Sequence, residues 1–93
     1  MEYFTNAPAG AALLDEKRPG YADEIDLETF DIDNSMSCVL GQLYGDYWRG
    51  KEELFRGVND IQQAHSYGFA TLYLDDVTQL QAEWVSLIRE RQT

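Results

Sequence analysis

The chain has 93 residues, of which seventeen are acidic and seven basic, giving a formal net charge of −10 and a pI near 4.2. That length fits one domain, since domains usually run on the order of 100–150 residues. A hydrophobic fraction of 44% with only two prolines excludes an intrinsically disordered chain. No run approaches the roughly 18–20 apolar residues of a membrane span, and so acidic a surface repels free nucleic acid.

The N-terminus lacks a basic stretch followed by an apolar run, so no secretory leader is expected. A single cysteine, Cys38, cannot form an internal disulfide, which points to a reducing cytoplasm. Acids are concentrated in residues 15–33, where eight stand against Lys17 and Arg18. There is no repeat, low-complexity tract or Pro/Gly/Ser linker.

Residues 1–7 read as a tail. Asn6 suits an N-cap and Pro8 a first helical turn, where a missing N–H is no loss. A helix is expected over 9–18, ended by Pro19-Gly20. Residues 21–33 alternate acids with Tyr21, Ile25, Leu27, Phe30 and Ile32 in a broken period. This segment is expected to be irregular and pinned to the core by its apolar side chains.

The next helix, capped by Asp33 or Asn34, has a firmer basis. Met36, Val39, Leu40, Leu43, Tyr44, Tyr47 and Trp48 recur on a 3.6-residue period. Gly41 and Gly45 inside that stripe imply either close approach of a neighbour or an early end near Gly45. Gly50 is a later stop. A helical turn over 51–57 follows, then a helix over 59–67 with Gly68 past its end. Residues 69–74 (FATLYL) are β-prone, and whether they pair with 25–32 stays open. The last helix starts at an Asp76 cap with Gln79 three residues on, and buries Val77, Leu80, Trp84, Leu87 and Ile88. The expected fold is mainly α: one small bundle of about four helices, with a single short two-stranded pairing as an option. The second and last helices form its centre, and Trp48 and Trp84 fill the core.

Four stretches, 10–20 (GAALLDEKRPG), 24–32 (EIDLETFDI), 38–48 (CVLGQLYGDYW) and 82–91 (AEWVSLIRER), resemble a group of small acidic proteins of actinobacteria and their phages. The resemblance covers residues 10–50 well and the remainder loosely. It implies a soluble cytoplasmic protein of a bacterium, or of the host cell of a phage, and carries no established activity. Several relatives have a second cysteine three residues before the position of Cys38; here Ser35 stands there, so a CxxC pair does not carry over.

Acids in 23–33 could offer oxygen ligands to a hard cation, but no glycine marks the turn of a Ca²⁺ loop. One Cys and one His fall short of a zinc set. Hence no metal and no cofactor are expected. Cys38 with His65 is the one nucleophile–base pair available, and a buried structural thiol is its ordinary meaning. No phosphate-cradling loop is present.

The stripe on the second helix is too broad for so small a core. One edge, Tyr47 with Tyr44 or Trp48, is therefore expected at the surface with Arg49 nearby, as protein interfaces favour. The expected function is a non-enzymatic acidic interaction protein. Asp23, Glu24, Asp26, Glu28, Asp31 and Asp33 would face a basic surface of a protein partner, and Tyr44, Tyr47, Trp48 and Arg49 would add short-range contact. A sharper version has the acids imitate nucleic-acid phosphates and block a host nucleic-acid-binding protein. The alternatives are a thiol-dependent enzyme or redox protein using Cys38, and a structural phage or assembly subunit. A homodimer is permitted but not required; direct contact with nucleic acid or membrane is not expected.

Overall fold

Proline and glycine bracket the first helix. A computed structural model describes residues 6–57, 59–71 and 74–92, and shows a small, mainly α domain. The expected tail lies largely outside those residues. Helix α1 (Ala7–Lys17) starts with Pro8 in its first turn and ends before Gly20, whose φ of 82° no helix interior allows. Asn6 takes the N-cap position, but its side chain makes no capping bond. Ala7, Gly10, Ala11 and Leu14 form the buried stripe of α1. Three of the four are Ala or Gly, so the last helix can come close. A Cβ on Gly10 would collide with the Tyr67 carbonyl and the Trp84 ring.

A 3₁₀ turn (Tyr21–Glu24) leads into the irregular acidic segment. Tyr21, Ala22, Ile25, Phe30 and Ile32 are buried while the acids between them face solvent, as expected. No strand forms among the described residues. Residues 72–73, the centre of the supposed second strand, lie outside them, and Leu74 already belongs to a helix. What replaces a partner strand is a set of glutamine side chains. Gln42 accepts from the Asp26 N–H at 2.7 Å and donates to the Asp26 carbonyl. Gln81 accepts from the Ile32 N–H at 2.6 Å and donates to the Phe30 carbonyl. Gln92 donates to the carbonyls of Ala22 and Ile25. A primary amide offers the same donor and acceptor as a peptide group, so backbone next to the core is satisfied without a sheet.

The long helix expected over the aromatic stripe is two helices. Helix α2 (Val39–Tyr44) and helix α3 (Tyr47–Phe55) are separated at Gly45, whose φ is 105°. Each has its own cap. Cys38 Sγ accepts from the Gly41 N–H, and Asp46 Oδ1 accepts from the Arg49 N–H at 2.7 Å. The supposed caps sit upstream: Asn34 Oδ1 accepts from Met36 and Ser37 in a preceding turn. Both meanings of the glycines hold. Gly45 breaks the helix, and a Cβ on Gly41 would strike the backbone of Ser35 and Met36. Gly50 does not stop α3; it is buried where a Cβ would stand 2.6 Å from Leu40. The expected turn over 51–57 is the continuation of α3.

The break resets the helical phase. Gly50, Lys51 and Phe55 become the inner face of α3, and Trp48 turns outward to 59% exposure rather than filling the core. Met36, outside any helix, is exposed as well.

Helix α4 (Asp60–Ser66) closes with Gly68 at φ 75°; the Phe69 N–H donates to the Ala64 carbonyl and the Gly68 N–H to that of His65. Helix α5 (Leu74–Gln92) begins two residues before the expected cap, so Asp76 lies inside its first turn and the capping box with Gln79 does not form. Its buried face is Leu80, Trp84 and Ile88; Val77 and Leu87, expected with them, are half-buried at its margins. Helix α5 packs on α1 and the 3₁₀ turn, while α2 packs on α3 and α3 on α4. The second helix and the last, expected to form the centre, are therefore not a main packing pair; each packs chiefly on another helix. A chain of ring contacts joins the helices: Trp84 stacks 5.5 Å from Phe69, Phe69 lies tilted 6.4 Å from Phe55, and Phe55 stacks 5.7 Å from Tyr67. No helix of the described residues is long and apolar enough to cross a membrane.

Candidate functional site

The helix break creates a cleft. Its volume is about 330 Å³. Cys38, Phe69 and Leu80, all buried, supply its inner surface. Tyr47 and Trp48 come from the start of α3, Ile61 and His65 from α4, and Val77 from α5. Ile32, Asp33 and Ser35 bring the end of the acidic segment into its lining. Two of its residues are large exposed hydrophobics: Trp48, and Ile61 at 55% exposure.

Trp48 is held although it is exposed. The Tyr47 ring meets it edge-on at 5.2 Å, and Lys51 Nζ lies 5.2 Å from its ring centre. Lys51 is itself buried and donates to Asp60 Oδ2 at 2.8 Å, tying α3 to α4. That ion pair lowers the Asp60 pKa, with the Lys51 hydrogen bond as the main cause. One cation thus supports both the indole and the helix that bears Ile61.

Of the residues expected to bind a partner, the cleft gathers Asp33, Tyr47 and Trp48. Tyr44 lies elsewhere, half-buried beneath the Arg18 guanidinium at 4.8 Å. Arg18 in turn pairs with Glu24 at 2.9 Å, which holds the Glu24 carboxyl below its usual range. Arg49 faces a separate shallow surface with Glu52, Glu53 and Arg56. Asp23, Asp26, Glu28 and Asp31 are exposed along the irregular segment. Asp26 and Asp31 also accept from backbone N–H groups two residues ahead, of Glu28 and Asp33. Ile61, Val77 and Leu80 escaped notice as site residues. The only local signal was Ile61 in a polar run, because the cleft is assembled from separate helices.

Cys38, His65 and Asp33 line the same cleft. Among the described residues no hydrogen bond joins any two of them. The thiol serves the backbone instead, accepting from Gly41 at 3.3 Å and reaching the Ser35 carbonyl at 3.8 Å. Burial pushes its pKa up, the opposite of what an activated nucleophile needs. His65 Nδ1 donates to the Ile61 carbonyl at 2.7 Å, which leaves Nε2 as the basic nitrogen of the neutral ring. Among the described residues no three His, Cys, Asp or Glu side chains come together as a metal site.

Comparison with protein-family models, with curated proteins and with solved structures finds no match to this chain.

Proposed function

We propose that this chain is a non-enzymatic interaction protein that recognises a basic surface of a protein partner. The observation that carries this reading is the placement of Trp48: an exposed indole lining an apolar cleft that Asp33, the last acid of residues 15–33, lines as well. Exposed aromatic residues rimmed by charge are the usual anchors of protein interfaces. A net charge of −10 steers a cationic partner and disfavours an anionic one. The bacterial or phage setting implied by the resemblance is where the partner is to be sought.

The test uses the full chain as bait in a lysate of its native host, at low and moderate salt. Trp48→Ala and a charge-neutralised Asp23→Asn/Glu28→Gln/Asp33→Asn chain run in parallel. The expected result is a protein retained by the wild type and released by salt, by the indole truncation and by neutralisation. A retained protein indifferent to all three removes the reading.

A thiol chemistry has one observation in its favour, the shared cleft of Cys38, His65 and Asp33. Alkylation of the native chain against pH decides it. A protected thiol that reacts only above the ordinary cysteine range, near 8.5, excludes it; fast reaction at neutral pH supports it.

A further inference from the structure

Resting on that reading, we infer that the cleft receives a single bulky apolar side chain of the partner, aromatic or branched aliphatic, flanked in the partner's sequence by Lys or Arg. Size sets the number of anchors. A buried cavity of about 150 Å³ holds benzene, and small-ligand pockets begin near 300 Å³. At about 330 Å³ the cleft takes one ring system and not the row of three or four anchors that an amphipathic helix lays into a groove.

The lining sets the anchor's chemistry. Trp48, Ile61, Val77, Leu80 and Phe69 offer apolar contact from three helices and a loop. Charge sets the flanks. Asp33 lines the cleft and is exposed, and the acids that precede it along the chain, at 23, 24, 26, 28 and 31, are exposed too. A cationic residue beside the anchor meets Asp33, whereas an acidic one is repelled.

The site is also built before the partner arrives. Trp48 is fixed between Tyr47 and Lys51, and Lys51 is fixed by Asp60, so little ordering is needed on binding. An exposed tryptophan in water would otherwise gain nothing from such support.

The experiment is methyl NMR on the full chain, titrated with blocked tripeptides: acetyl-Lys-Phe-Lys-amide, acetyl-Lys-Ala-Lys-amide and acetyl-Glu-Phe-Glu-amide. The expected result is that Lys-Phe-Lys shifts the methyls of Ile61, Val77 and Leu80 and binds about tenfold more tightly than either control. Trp48→Ala and Ile61→Ser, both at exposed positions, each reduce that binding several-fold. If Lys-Ala-Lys binds as well as Lys-Phe-Lys and the charge-neutralised chain loses both, the acidic face recognises cations but the anchor is wrong. If Glu-Phe-Glu binds equally, the cleft is a site for small apolar molecules, and the inference falls. If no lysine peptide binds at millimolar concentration, the inference and the reading beneath it fall together.

Discussion

Trp84 donates its indole N–H to the carbonyl of Gly68 at 2.7 Å, so the largest fully buried side chain is tied to the turn that ends α4. Phe69, the next residue, stacks on the same indole. The backbone of the cleft's inner surface is therefore positioned from α5. Replacing Trp84 by Phe leaves the Gly68 carbonyl without its donor and opens space in the core. The expected loss is about 2–3 kcal/mol, read from urea unfolding.

The glutamine contacts predict a local effect as well as a global one. Gln81→Leu keeps the bulk of the side chain but leaves the Ile32 N–H and the Phe30 carbonyl unpaired beside the core. Hydrogen exchange at the Ile32 amide is expected to accelerate by at least tenfold. Stability should fall by about 1–3 kcal/mol. Unchanged protection of Ile32 would show that the amide does not replace a strand partner.

The Tyr21 hydroxyl is buried with no hydrogen-bond partner among the described residues, and its side chain is 1% exposed. Burial pushes its pKa up to about 12. The folded state thus favours the neutral phenol. The stability this represents is present below the unfolded value, near 10, and is lost as pH rises through about 12. Tyr21→Phe removes both the orphaned hydroxyl and that alkaline loss. It should be more stable than the wild type by about 1 kcal/mol at pH 7, with a flatter stability curve between pH 10 and 12.

On the acid side the Lys51–Asp60 pair acts in the opposite sense. Asp60 has a lowered pKa in the folded chain, so its contribution is present above the ordinary aspartate value, near 3.9, and vanishes as pH falls through the lowered one. Lys51→Met removes the largest cause of this dependence and should weaken it. It also frees Trp48 from its cation, so tryptophan emission should change together with the weakening of acid sensitivity. Emission identical to that of the wild type would mean that Lys51 does not support the indole.

The helical class, most of the buried face of α5 and the irregular acidic segment were legible in the sequence. They rest on local periodicity, on Pro and Gly stops, and on acids spaced between apolar residues. The boundary at Gly45 was half legible. One glycine signals a break or a close approach equally well, and here Gly45 is the first and Gly41 the second. Strand propensity left the pairing of 69–74 with 25–32 open; among the described residues 25–32 forms no strand, Leu74 joins α5, and amides from Gln42, Gln81 and Gln92 bond to the backbone of the irregular segment. Nothing in the spacing of those glutamines marks them, since two of them reach 49 and 67–70 residues along the chain.

By itself, then, the sequence determined composition, charge, helical class and which side chains are too apolar to leave in water. Tertiary structure alone decided that Trp48 faces out, that Lys51 and Asp60 lock its surroundings, and that Asp33, Cys38, Ile61 and His65 share one cleft. The physical reason is phase. A single positive-φ glycine rotates everything after it relative to everything before it. Which residues meet is then settled by how the resulting pieces pack, and no local pattern records that.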